Sequence, residues 1–280
     1  MRRWSGLAST LLLGIACTAA PAAQSAPSVA ASALPSPTTT PLVVPAEIVA
    51  SGRLRMALVG TEVGLSAKNA TTGEITGVNV DIGRELARRF GVTFVAVDVA
   101  SYPAMAAAIK AGTADMAIVS PLPEREADFD FTPGVVELDL TYLVPSGATV
   151  KSAADADRTG VRIVVRRGTT VDAALSLGVK QAQIVRVDGS LDDALALMRS
   201  GSGDILAGAR PNLLPLLAKL PGSVILADRF GVTPFALAIP KGKADLLRAA
   251  NQFARELKAS DFVKQAITRG GAQGVQPTPP

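Results

Sequence analysis

Residues 109–117 read IKAGTADMA and residues 198–206 read MRSGSGDIL. Position by position the two stretches agree in type: apolar, basic, small, glycine, hydroxyl, small, aspartate, apolar, apolar. At the same offset upstream, Ser101 matches Ser190. Each copy reads as a helix entered through a serine N-cap, stopped by glycine and followed by a strand that opens with aspartate. Any α/β unit uses glycine at a helix end and aspartate in a turn, but the length of the match points to a duplicated unit. Two copies are too few for a solenoid, which leaves two similar lobes.

Working outward from the first copy, RLRMALVG (53–60) reads as a strand and 92–97 as a second, β-branched one. Between them 81–90 reads as a helix with Asp81 as N-cap and Gly91 at the stop. Val78, Ile82, Leu86 and Phe90 form its buried face. A helix over 102–111 and a strand over 115–119 complete a β-α-β-α-β order, which implies a mainly parallel sheet covered by helices. Around the second copy, strands are expected over 161–165, 183–187 and 204–207, with helices over 170–177, 191–200 and 211–219. A returning strand, TPFALAIP (233–240), and a long amphipathic helix over 244–258 lead back to the first lobe.

The ends of the chain differ in composition. Arg2 and Arg3, the apolar run over 7–17 and the small residues after it read as a secretion signal over 1–23, too short to span a bilayer comfortably. Residues 24–45 are uncharged and rich in Pro, Ser, Thr and Ala, a composition that reads as a disordered linker. The tail 274–280 also reads as loose.

Composition excludes several functions. There are no histidines, the commonest metal ligand and general base, and the one cysteine excludes an internal disulfide or thiolate cluster. No metal or cofactor is expected. Half of the net charge of +4 rests on Arg2 and Arg3, so nucleic acid is not an expected partner.

The stretch GRLRMALVGTE (52–62), followed by TGEITGVNVDIGRELARRFGV and later by YPAMAAAIKAGTADMAIVSPLPEREADFDFTPG, resembles the extracellular solute-binding proteins of family 3, the polar amino-acid uptake type. VRIVVRRGTT (161–170), SGSGDILAG (200–208) and FALAIPKGKADLLRAANQFARELKASDFVKQAI continue the resemblance to about residue 270. It implies a type II periplasmic-binding-protein fold: two α/β lobes joined by two crossover strands, with the ligand in the cleft beyond the carboxyl ends of the strands. Lobe 1 would comprise 46–142 with 234–280 and lobe 2 would comprise 143–233, with crossovers near 142–145 and 228–233. The implied function is the substrate-binding component of an ABC-type uptake transporter, an exported, monomeric, non-enzymatic receptor that serves a membrane permease. Cys17, in Gly14-Ile15-Ala16-Cys17, is the candidate lipidation position by resemblance to lipoprotein signals, although Gly14 departs from the usual large aliphatic residue.

The resemblance also nominates a site. Arg125 matches the arginine that clamps the ligand carboxylate, a bidentate role suited to a planar guanidinium. Pairing with Glu124 or Glu126 at the surface is the plainer reading. Ser120 lies just past a strand end, and Gly168-Thr169-Thr170 opens a helix whose free N–H groups suit an anion. A simple threonine N-cap is compatible with that role. Tyr102 matches a ligand-stacking aromatic, and Glu62 an acid that reads the ligand side chain. Where relatives that bind α-amino acids place an aspartate for the ammonium group, this chain has Ala209, followed by Arg210. A cleft holding Arg125 and Arg210 would suit a mono- or dicarboxylate. The rivals are a dehydratase of the cyclohexadienyl or arogenate type on the same fold, with Glu62 as its acid, and a ligand-sensing domain.

Overall fold

Three glycine or proline positions set the local boundaries most clearly. The computed structural model describes residues 41–279. It opens with α1 (Ala46–Ser51), β1 (Arg53–Val59) and a small antiparallel sheet of β2 (Thr61–Glu62), β3 (Ser66–Lys68) and β4 (Ile75–Thr76). Helix α2 (Val78–Phe90) starts three residues before Asp81. Its N-cap is Gly77 at φ 132, where a Cβ would run into the Leu65 carbonyl, so the close turn rather than an aspartate sets the start. Asp81 lies in the first turn and pairs with Arg269 at 2.6 Å. Gly91 closes the helix at φ 67, as the sequence implies.

Next come β5 (Thr93–Val99), α3 (Tyr102–Lys110), β6 (Met116–Val119), the short α4 (Pro123–Glu126), β7 (Phe129–Phe131) and the long β8 (Val136–Val144). The second half runs β9 (Arg162–Arg166), α5 (Thr170–Gly178), β10 (Gln183–Val187), α6 (Leu191–Arg199) and β11 (Ile205–Ala209). The single helix expected over 211–219 is broken into α7 (Arg210–Leu213) and a 3-10 turn (Leu214–Leu216). Pro215 is the cause: it has no N–H to donate and its ring crowds the preceding turn. The chain ends with β12 (Val224–Ile225), β13 (Gly231–Pro240), α8 (Ala244–Lys258), α9 (Phe262–Gly270) and β14 (Val275–Pro277).

The large sheet has the order β10-β9-β11-β8-β13-β6-β1-β5. Pairing is parallel at its two ends, among β10, β9 and β11 and among β6, β1 and β5. The centre is antiparallel, because β8 and β13 carry the chain across. Residues 136–140 of β8 pair with 231–235 of β13, and residues 140–143 of β8 pair with β11.

Both chain ends fold more than their composition suggests. Leu42 is buried in the main core cluster, so the last residues of the 24–45 stretch pack where they turn apolar. Residues 275–277 form β14 on β8, and Gln276 Nε2 donates to Glu137 at 2.7 Å, so this part of the tail is not loose. The signal reading, Cys17 and residues 24–40 of the linker lie outside the described residues. No helix among the described residues is long and apolar enough to cross a membrane.

The repeat turns out to be a clamp. Arg55 on β1 donates from its backbone N–H and Nε to Asp115 Oδ2, from Nη2 to Asp115 Oδ1, and from Nη1 to the Gly112 carbonyl. Arg162 on β9 makes the same four bonds to Asp204 and Gly201. The hydrogen bonds from Arg162 hold the Asp204 carboxyl below its ordinary value. Ser101 and Ser190 cap α3 and α6 as expected, and Ser190 adds a capping box with Asp193. Each of these helices packs its own satellite cluster against the sheet: Met105 and Ile109 in the first half, Leu195 and Met198 in the second.

Candidate functional site

The parallel strands end on one side of the sheet, and the residues just beyond their carboxyl ends enclose a cavity of about 460 Å³. From the first half come Tyr102 after β5, Ser120 after β6, and Arg125 and Asp128 beyond it. From the second half come residues 166–171 after β9 and 207–209 with Asn212 at the end of β11. Thr233 and Phe235, two residues apart on one face of β13, close the floor with Leu138 of β8.

Arg125 is held in place from two sides. Its Nη1 donates to the Ser120 carbonyl at 2.8 Å and to Ser120 Oγ at 2.9 Å. Its Cζ stands 4.7 Å from the centre of the Tyr102 ring. A cation over an aromatic face at this separation contributes about 0.5–2 kcal/mol. Ser120 is buried, so its hydroxyl offers Arg125 a fixed acceptor rather than a solvated one. Arg125, Ser120 and Tyr102 therefore form one unit on the cavity wall.

Across the cavity, Gly168 takes φ 69 and Thr169 caps α5. Thr169 Oγ1 accepts from the Asp172 N–H at 3.2 Å and donates to the Arg166 carbonyl at 2.9 Å. Asp172 is the residue that sequence reasoning missed here. Its buried carboxylate accepts the Gly168 N–H at 3.0 Å and pairs with Arg186 Nε at 2.8 Å. One N–H of the expected anion cradle is thus already taken by a side chain. Gly168, Thr169 and Thr170 all line the cavity, together with Arg166 and Arg167.

One nominated residue, Arg210, falls elsewhere. Arg210 does not line the cavity. Its Nε faces Asp139 at 3.4 Å, Nη1 donates to the Leu226 carbonyl at 2.8 Å and Nη2 to the Ala227 carbonyl at 2.9 Å. These bonds tie Arg210, the first residue of α7, to the turn at 226–228 and to an acid on β8. Glu62 lies on β2 with its backbone opposite Ser66. Ala209, by contrast, does line the cavity and is buried.

Sequence reasoning also missed Thr233, Phe235, Leu138 and Asn212. The alternation of TPFALAIP carried a signal for the first two, because residues 233 and 235 share one face of a strand. Among the described residues, no group of three His, Cys, Asp or Glu side chains is placed to hold a metal ion.

With this geometry in view, the chain belongs to the bacterial extracellular solute-binding proteins, family 3, whose model matches residues 54–269. It is 22% identical over 199 residues to the ABC transporter glutamine-binding protein GlnH of Bacillus subtilis (strain 168), covering 69% of this chain and 71% of that one. Among solved structures, the ancestral amino acid-binding protein AncCDT-1, a precursor of cyclohexadienyl dehydratase, superposes with a TM-score of 0.62 at 23% identity, covering 80% of this chain and 96% of its own. The amino acid ABC transporter substrate-binding protein AbpA of Streptococcus pneumoniae, bound to L-arginine, gives 0.62 at 20%, also covering 80% and 96%. These structural likenesses carry the fold: an α/β scaffold of the periplasmic-binding-protein kind.

Proposed function

We propose that this protein is the substrate-binding component of an ABC-type uptake transporter and captures a small carboxylate-bearing solute, an amino acid or a related organic acid. The observation that carries the reading is Arg125, fixed on Ser120 against Tyr102 and facing the start of α5 across a shared cavity. A guanidinium held in this way is pre-organised for a carboxylate, which saves the ordering cost of a free side chain. The two halves of the sheet act as lobes around an interlobe cleft, and their closure buries the solute and presents a joint surface to a membrane permease. Arg125, Ser120, Tyr102, Gly168, Thr169 and Thr170 form the binding set, and Glu62 is its candidate acid for the ligand side chain. The protein works as a monomer outside the cytoplasm, exported by its N-terminal signal, with Cys17 as the lipid attachment point.

The test is a thermal-shift screen of amino acids and small carboxylates on the full chain. A stabilising solute is expected, and Arg125→Ala should remove its shift. A shift that survives Arg125→Ala unchanged sinks the clamp. The likeness to the precursor of a dehydratase supports a second reading, an enzyme on the same scaffold. Turnover of prephenate by the purified protein, abolished in Glu62→Gln, would establish it.

A further inference from the structure

The polar side chains around the cavity differ in how far their hydrogen bonds are already committed. Ser120 Oγ accepts from Arg125, Thr169 Oγ1 lies between the Asp172 N–H and the Arg166 carbonyl, and Asp128 pairs with Lys110 at 2.8 Å. Asn212 and Thr233 line the same cavity, and among the described residues neither side chain has a hydrogen-bond partner.

Each is placed there by its own element. Pro211 and Leu213 are buried, and Leu213 packs so closely on Gly208 that an added Cβ would meet its Cδ2 at 2.6 Å. With its two neighbours turned to the core, Asn212 is left half-buried on the cavity side. Thr233 shares the cavity face of β13 with Phe235 and pairs across to Leu138 of β8. The residue is only 4% exposed, yet its hydroxyl is not among the sealed, unpartnered atoms of the interior, so the oxygen opens on the cavity. The strand does not call for that hydroxyl, because valine has nearly the same shape and prefers strands as well.

An asparagine amide and a threonine hydroxyl each donate and accept hydrogen bonds. A solute filling the cavity strips water from both, and any donor or acceptor left unmatched then counts against binding. A carboxylate only accepts and an ammonium only donates, whereas a carboxamide or a hydroxyl does both.

We infer that Asn212 and Thr233 determine specificity by reading a neutral donor-and-acceptor group, of which a carboxamide is the type, at the end of the solute remote from its carboxylate. The inference rests on the reading of Arg125 as the carboxylate clamp. Asn212 acts from the wall of the second half, and Thr233 from the floor on a strand that crosses between the halves.

Calorimetric titration of the full chain with end-group isosteres tests it. One set is L-glutamine, L-glutamate, L-ornithine and L-norleucine. The other is the same set without the α-amino group: glutaramate, glutarate, 5-aminopentanoate and hexanoate. In whichever set binds more tightly, the carboxamide should be held about ten-fold more tightly than each isostere. Asn212→Leu and Thr233→Val should each remove most of that preference and leave the affinity for the hydrocarbon-ended member nearly unchanged, a split that general damage to the fold does not give. Thr233→Ser keeps the hydroxyl and should keep the preference. Asn212→Ala and Thr233→Ala replace either variant that fails to fold. A charged or hydrocarbon end bound as tightly as the carboxamide, or no binding by either set, would overturn the inference. So would a preference that is unchanged in the folded variants at both positions. If the binding seen in those cases is lost in Arg125→Ala, the clamp itself stands; binding indifferent to Arg125→Ala would overturn the clamp and the inference together.

Discussion

In the first half of the sheet Ala57 and Ala114 pack in one apolar cluster. At the matching places in the second half stand Val164 and Gly203, and a Cβ added to Gly203 would overlap Val164 Cγ2. Ala57 and Val164 each lie two residues past the clamping arginine, and Ala114 and Gly203 each lie one before the clamping aspartate. The two halves thus fill one joint with different partners, two methyl groups against one isopropyl group and a bare hydrogen. A duplicated unit keeps its hydrogen bonds, whose geometry is demanding, and redistributes its volume, which need only sum correctly.

The largest expected break in that comparison is Gly203→Ala. Gly203 has no positive φ, so its cost is steric alone and should reach about 1–3 kcal/mol by denaturant titration. Adding Val164→Ala should recover much of the loss, converting the second joint into a copy of the first. A double variant no better than the single one would show that volume exchange is not the link.

The clamps come next. Side-chain exposure is 29% and 12% for Arg55 and Asp115, against 37% and 36% for Arg162 and Asp204. Asp115→Ala should therefore cost about 2 kcal/mol, the worth of charge-assisted bonds partly shielded from water. Asp204→Ala should cost distinctly less, because solvent screens its pair. Equal losses in chemical denaturation would mean that burial does not separate the two clamps.

Helix starts provide a smaller contrast. Ser190→Ala removes a capping box and should cost about 1 kcal/mol, and Ser101→Ala, which removes a single 3.3 Å bond, should cost less.

The smallest effect is read against pH. Arg162 holds the Asp204 carboxyl below its ordinary value, so the stabilisation is fully present above about pH 4 and is lost as pH falls through the lower, folded value. The Tm difference between the wild type and Asp204→Asn should stay level down to about pH 4 and close below it. A gap that closes near neutral pH would assign the titration to another group.

The repeat itself was legible because its helix stop and turn residues are local, and local chemistry survives in a linear string. The role of its aspartates was not legible, because the arginines they hold lie 60 and 42 residues away, with no periodic signal joining them. The same distance hid the fate of Arg210. Its charge was visible in the sequence, but the acceptors that draw it off the cavity wall, on β8 and at 226–228, come from remote parts of the chain. Arg125 was nominated by family likeness, and the support from Ser120 and Tyr102 emerged only when two strand ends met. Gln276 and the proline-rich end looked unstructured for a related reason: a three-residue strand has too little pattern to read, and its partner lies more than a hundred positions upstream.

That short strand has a practical consequence. Between them β14 and β11 cover one edge of β8, while β13 and β12 cover the other, so the strand common to both halves is paired along its length by four neighbours. An affinity handle or fluorophore fused after the chain's last residues would be tethered to this shared strand rather than to a free tail. A reporter placed there would be mechanically coupled to any relative movement of the halves, and a trimmed C-terminus would expose the edge of β8 as a new surface for aggregation.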